Sequence, residues 1–127
     1  MNKIKPDDFK DPAGHYSPAV ISNGLVFVSG QVAADPETGE MLGGSIEQQT
    51  EVCLANLERV LEAAGSGLDR LVKVNIFVSD EAYWGPVNEV YKRVLGDHKP
   101  ARAIIPVGEF GEPLLIEIEA VAEVNDE

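Results

Sequence analysis

Ser17-Pro18-Ala19-Val20-Ile21-Ser22-Asn23-Gly24-Leu25-Val26-Phe27-Val28-Ser29-Gly30 places two β-rich runs on either side of an Asn-Gly pair. Asn-Gly tolerates φ > 0 at both centres of a two-residue turn, and that turn matches the twist of paired strands. The stretch therefore reads as a β-hairpin. Gln31-Val32-Ala33-Ala34 extends its second strand, and Asp35-Pro36-Glu37-Thr38-Gly39-Glu40 is turn chemistry.

Working outward, Ser45-Ile46-Glu47-Gln48 has the serine-x-x-glutamine form of a capping box. Beyond it Ile46, Thr50, Cys53, Leu57, Val60, Leu61 and Ala64 recur at helical spacing, until Gly65-Ser66-Gly67 stops the helix. Leu71-Val72-Lys73-Val74-Asn75-Ile76-Phe77-Val78 is β-rich with partial alternation and predicts a strand. Ser79 or Asp80 caps a second predicted helix, about Glu81 to Leu95, ended by Gly96. Ala101 to Val107 and Leu114 to Glu123 supply two last strands.

Two helices cover only one face of a sheet built from these strands, which predicts an α+β sandwich in a single domain, residues 1–127. Alternation along the last strand puts Leu115 and Val121 on the same face as Glu117 and Glu119. A face mixing apolar and acidic groups suggests burial against another subunit, hence a homo-oligomer.

A chain of 127 residues, 44% hydrophobic and 25% charged, has the composition of a globular domain. No apolar run approaches the roughly 20 residues that span a bilayer, and Met1 to Asp8 carry no apolar signal core. The expected location is the cytoplasm, without membrane association. The single cysteine, Cys53, has no partner for a disulfide and no cysteine–histidine cluster for a metal. It reads first as a small buried hydrophobe. The net charge of −12 repels phosphate backbones and argues against nucleic-acid partners. It repels small anions too, so an anionic substrate needs a local cation.

Arg102 is the cation that stands out, in Pro100-Ala101-Arg102-Ala103-Ile104-Ile105-Pro106-Val107. A buried unpaired charge costs several kcal/mol, so this arginine either has a partner or is a site. Its planar fork fits a carboxylate bidentately. Glu117, fifteen residues on in Ile116-Glu117-Ile118-Glu119, is the first candidate to act on what Arg102 holds. Taken alone, each residue has a plainer reading. Arg102 reads as half of a structural ion pair, with Glu117 as a plausible mate. Glu117 reads as the outward face of an edge strand, Tyr16 as a core or interface aromatic, and Asn88 as a helix-surface amide. Ser29-Gly30 reads as a strand end, His15 as a loop residue and His98 as a solvated one.

The ordered motifs decide between these readings. Gly14-His15-Tyr16-Ser17-Pro18-Ala19-Val20, Val28-Ser29-Gly30-Gln31 and Asp35 to Glu40 are followed by Gln48-Gln49-Thr50, Leu54-Ala55-Asn56-Leu57 and Leu61-Glu62-Ala63-Ala64-Gly65. Val87-Asn88-Glu89-Val90-Tyr91, Pro100-Ala101-Arg102 and Ile116 to Ala122 complete the set. In this order they resemble the RidA family, also called YjgF, the reactive-intermediate imine/enamine deaminases.

The resemblance implies a chorismate-mutase-like α+β fold, two helices on one face of a mixed sheet, assembled as a homotrimer with active sites between subunits. It implies hydrolysis of 2-iminoalkanoates and 2-aminoalkenoates, such as 2-aminoacrylate, to 2-oxo acids and ammonia, with no cofactor and no metal. By position, Arg102 matches the arginine that clamps the substrate carboxylate and Glu117 the glutamate that positions the attacking water. Tyr16, Ser29, Gly30 and Asn88 match pocket positions. Ile104 stands where the family often has cysteine or a small polar residue, and His15 where proline is common before the tyrosine. Val107 to Pro113 also departs from the best-known imine deaminases, leaving room for a 2-aminomuconate deaminase-like sister activity. A non-catalytic trimeric module binding 2-oxo acids is the other alternative.

Overall fold

The computed structural model describes residues 1–124. Six strands and two helices follow in the order β1 (Asn2–Ile4), β2 (Ala19–Ser22), β3 (Leu25–Val32), α1 (Ile46–Ala63), β4 (Leu71–Val78), α2 (Trp84–Leu95), β5 (Ala101–Pro106) and β6 (Ile116–Glu123). The strands form one sheet in the spatial order β1-β2-β3-β6-β4-β5. Every neighbouring pair is antiparallel except β4 and β5, which α2 joins as a parallel crossover. The expected α+β architecture, with a mixed sheet and two helices, is what the chain adopts.

Local chemistry explains the elements. Asn23 and Gly24 both take positive φ, 54° and 77°, so β2 and β3 close as the predicted hairpin. The Ser45 hydroxyl accepts from the Gln48 N–H while the Gln48 side chain accepts from the Ser45 N–H, the full capping box. At the other end Gly65 has φ 81°, its N–H donates to the Glu62 carbonyl, and the Ser66 N–H donates to the Leu61 carbonyl. These two bonds satisfy carbonyls that the helix leaves open.

All seven apolar-periodic residues predicted for α1 are buried, and Leu54 joins them. Leu54, Leu57 and Leu61 are fully buried, and each contributes about 1.5–3 kcal/mol of burial free energy. They face Val74, Ile76 and Val78 of β4 and Ile116, Ile118, Ala120 and Ala122 of β6 in one core. Cys53 lies in that core with no exposure, and burial, with Glu117 nearby, pushes its thiol up to about 12, which keeps it unreactive.

The structure corrects several expected boundaries. β1 was not foreseen, since Asn2-Lys3-Ile4 has no strand pattern of its own and is recruited by pairing with Ala19–Ile21. The second helix starts at Trp84, because the Asp80 carboxylate accepts from the Ala82 N–H and tightens Glu81–Tyr83 into a 3₁₀ turn. β6 starts at Ile116 rather than Leu114, and β5 ends at Pro106 rather than Val107. His98 is partly buried rather than solvated; its ring Nε2 lies 2.8 Å from the Leu71 carbonyl, tying the chain after α2 to the start of β4.

Candidate active site

The predicted site residues fall into two groups. The first is built on a β-bulge. β3 pairs with β6 through Val28 and Ala120, then through Gln31 and Ile118, so β3 carries one extra residue at Ser29-Gly30. Far from ending the strand, these two residues kink it. Gly30 thereby comes so close to Glu117 that a Cβ at position 30 would overlap the Glu117 carboxylate. Ser29 donates its hydroxyl to the Ser17 carbonyl (2.7 Å) and its N–H to the Pro18 carbonyl (2.9 Å). Those bonds anchor the segment that presents Tyr16, whose side chain is 56% exposed. Tyr16, Pro18, Gly30 and Gln31 line a cavity of about 260 Å³ that extends to Asn56 on α1. Ser29-Gly30 thus links the two sides: Gly30 lies against Glu117 and also lines the cavity with Tyr16, while Ser29 ties down the Ser17-Pro18 segment.

Glu117 is half-buried on the sheet face away from the helices. Burial, and next the like charge of Glu119 two residues on, raise its pKa above the ordinary carboxylate value. Glu119 itself accepts a hydrogen bond from Asn75 of β4 at 3.1 Å.

The second group surrounds Arg102. Its Nη1 donates to Oδ1 of the Asn88 side-chain amide at 2.8 Å. Its guanidinium carbon lies 4.9 Å from the centre of the Tyr91 ring and 5.6 Å from that of Trp84. Trp84, Asn88 and Tyr91 are spaced i, i+4 and i+7, so one stripe of α2 supplies all three contacts. Two rings and one amide fix the fork while leaving most of its five donors unused. Among the described residues no carboxylate reaches ion-pair distance of Arg102. Ile104, two residues along β5, shares its face and packs against the core.

These two groups do not meet within one chain. Arg102 is level with Val74, which is level with Ala120, a row directed at the helices. Glu117 is level with Phe77 in the alternate, outward row. Arg102 and Glu117 therefore project from opposite faces of the sheet, which rules out the ion pair between them inside one protomer.

Sequence reasoning missed Trp84 and Tyr91 as neighbours of Arg102; their helical spacing around Asn88 was the available signal. Tyr91 is 6% exposed and its hydroxyl has no hydrogen-bond partner among the described residues, while burial, opposed by Arg102, raises its pKa to about 12. No group of three or more metal-ligating side chains is clustered among the described residues, and no helix there is long and apolar enough to cross a membrane.

The chain thus combines a mixed sheet and two helices with a bulge that seats a glutamate mid-sheet and a stacked arginine on the edge strand β5. Residues 8–124 match the family described as Endoribonuclease L-PSP. A RutC family protein of Pyrococcus horikoshii is 40% identical over 111 residues, covering 87% of this chain and 88% of its own. A 2-iminobutanoate/2-iminopropanoate deaminase of Rattus norvegicus is 37% identical over 115 residues, 89% of this chain and 84% of its own. The crystal structure of RidA from an Antarctic Psychrobacter superposes with a TM-score of 0.89 at 33% identity, over 98% of this chain and 100% of that one. The chain belongs to this family, the RidA/YjgF family that its motifs resemble.

Proposed function

We propose that the protein is a hydrolytic deaminase of 2-iminoalkanoates and 2-aminoalkenoates, working as a homotrimer whose sites join Glu117 of one subunit to Arg102 of the next. The observation that carries this reading is the state of Arg102: fixed by Asn88, Trp84 and Tyr91, with no carboxylate partner and its remaining donors unused among the described residues. Such a fork is a receptor for a substrate carboxylate. The rat relative named a 2-iminobutanoate/2-iminopropanoate deaminase supports the substrate class.

The chemistry follows from the groups. A protonated imine carbon bearing a carboxylate is electrophilic without a protein nucleophile. Holding the carboxylate lowers the entropic part of the barrier. Glu117, its pKa raised toward the working range, takes a proton from water as the oxygen bonds to C2. The carbinolamine then collapses: Glu117 returns the proton to nitrogen and, ionised again, takes the hydroxyl proton as the C=O forms and the C–N bond breaks, so ammonia leaves and the 2-oxo acid remains. An enamine first takes a proton at C3 to reach the same imine. Tyr16, exposed at the rim, orients the water or donates to the intermediate.

The charge of −12 speaks against ribonuclease action, since phosphate binding needs a basic surface. RNA cleavage that survives rigorous purification and disappears with a site substitution would reverse that judgement. The deaminase reading is tested with 2-aminoacrylate generated in situ. Arg102→Lys keeps the charge but loses the fork, and is expected to lower ammonia release by about 10²-fold or more. Glu117→Gln should abolish turnover while 2-oxo acid binding, read by calorimetry, persists. Wild-type protein that binds 2-oxo acids but accelerates nothing would establish a binding module instead.

A further inference from the structure

The surroundings of Arg102 are more apolar than a carboxylate clamp requires. Trp84 is 48% exposed although its ring lies over the guanidinium, and it is the only tryptophan in the chain. Because α2 is the crossover between parallel β4 and β5, it runs back antiparallel to β5. Moving along β5 from Arg102 to Ile104 therefore moves toward the N-terminal end of α2, where Trp84 stands. Ile104 thus lies on the Arg102 face of β5, displaced toward the end of α2 that carries Trp84. Asn88 occupies one donor, and the indole lies 5.6 Å from the guanidinium carbon that would grip an acid through the others.

We propose that Trp84, backed by Ile104, is the specificity-determining residue of this site, and that it selects 2-imino acids with branched or longer apolar side chains over the three-carbon acid. The proposal rests on the deaminase reading for the imine; the clamp and wall alone would rank 2-oxo acids in the same order. A flat aromatic face and a branched aliphatic side chain reward buried hydrocarbon and offer little to hydroxyl or carboxyl substituents.

Trp84 is its own reporter. The intact oligomer is titrated with pyruvate and with 4-methyl-2-oxopentanoate while tryptophan emission is followed. Both acids should perturb the emission, with the six-carbon acid binding about tenfold tighter or more. In Ile104→Ser by emission, and in Trp84→Ala by calorimetry, that ratio should fall toward one. The kcat/KM ratio for imines made from leucine and alanine by an amino-acid oxidase should fall in parallel, with the oligomer mass unchanged by light scattering. Equal affinities in the wild type overturn the proposal, as does a ratio that neither variant moves. Binding with the expected preference but no imine turnover would sink the deaminase reading and leave the selectivity standing. If neither acid binds and no imine is consumed, the clamp fails and the selectivity with it.

Discussion

Glu117 stands two residues before Glu119 on the outward row of β6, where partial burial and the neighbouring acid both hold its proton more tightly than water would. As a base it must be ionised, so the acid limb of the kcat profile is expected above the ordinary glutamate value of about 4.3. Glu119→Gln removes the like charge but not the burial, and should move that limb part of the way down; a pH–rate series on both proteins checks it. Stability responds with a definite sign. A folded pKa raised above the unfolded one means a contribution present below the unfolded value and lost as pH rises through the folded value. Glu117→Gln is thus expected to be more stable than wild type at neutral pH, with the gap closing as pH falls toward 4 in urea titrations. At this scale the sequence was informative where chemistry is unusual. An arginine among apolar residues declares itself, and so does an acid inside a β pattern. Gly30 did not, because its reason is the approach of Glu117 from a strand 87 residues away.

Elements were legible where their signals are local. The Asn-Gly turn, the capping box of α1 and the glycine that ends it all act within a few residues, and each predicted element is present. Boundaries set by distant partners were not legible. The clearest case is Gln49, fully buried on α1, which donates to the carbonyls of Gly44 and Pro113 and accepts from the Leu115 N–H at 2.9 Å. By taking that N–H it delays β6 to Ile116 and fixes the entry of the strand that carries Glu117. Gln49→Leu leaves buried backbone groups unpaired and should destabilise the protein by about 1–3 kcal/mol, measured by urea denaturation. Its methyl-rich replacement keeps the volume, so the loss reports the hydrogen bonds rather than a cavity. The bulge at Ser29-Gly30 is equally non-local, since it exists only as a mismatch between the β3 and β6 registers.

At the scale of the whole molecule, the face of the sheet away from the helices carries Phe27 at 45% exposure and Ile105 at 37% beside Glu117, Glu119 and Val121. A mixed apolar and acidic face of this kind calls for a covering surface. The opposition of Arg102 and Glu117 across the sheet calls for one that brings an arginine. A ring of three identical chains meets both demands, because a head-to-tail contact presents one face of each subunit to a different face of the next. The expected solution mass is three times that of the chain. Sequence spacing paired Arg102 with Glu117 as candidates, but their placement on opposite faces of the sheet is a matter of register that spacing does not carry. The decisive measurement mixes the two inactive parents, Arg102→Ala and Glu117→Gln, by joint refolding at equal amounts. In a randomly assembled three-membered ring about a quarter of the sites then unite an intact Glu117 with an intact Arg102, so about a quarter of wild-type imine hydrolysis should return. A mixture no more active than its parents, with mixed trimers verified by mass, would contradict a site shared between subunits.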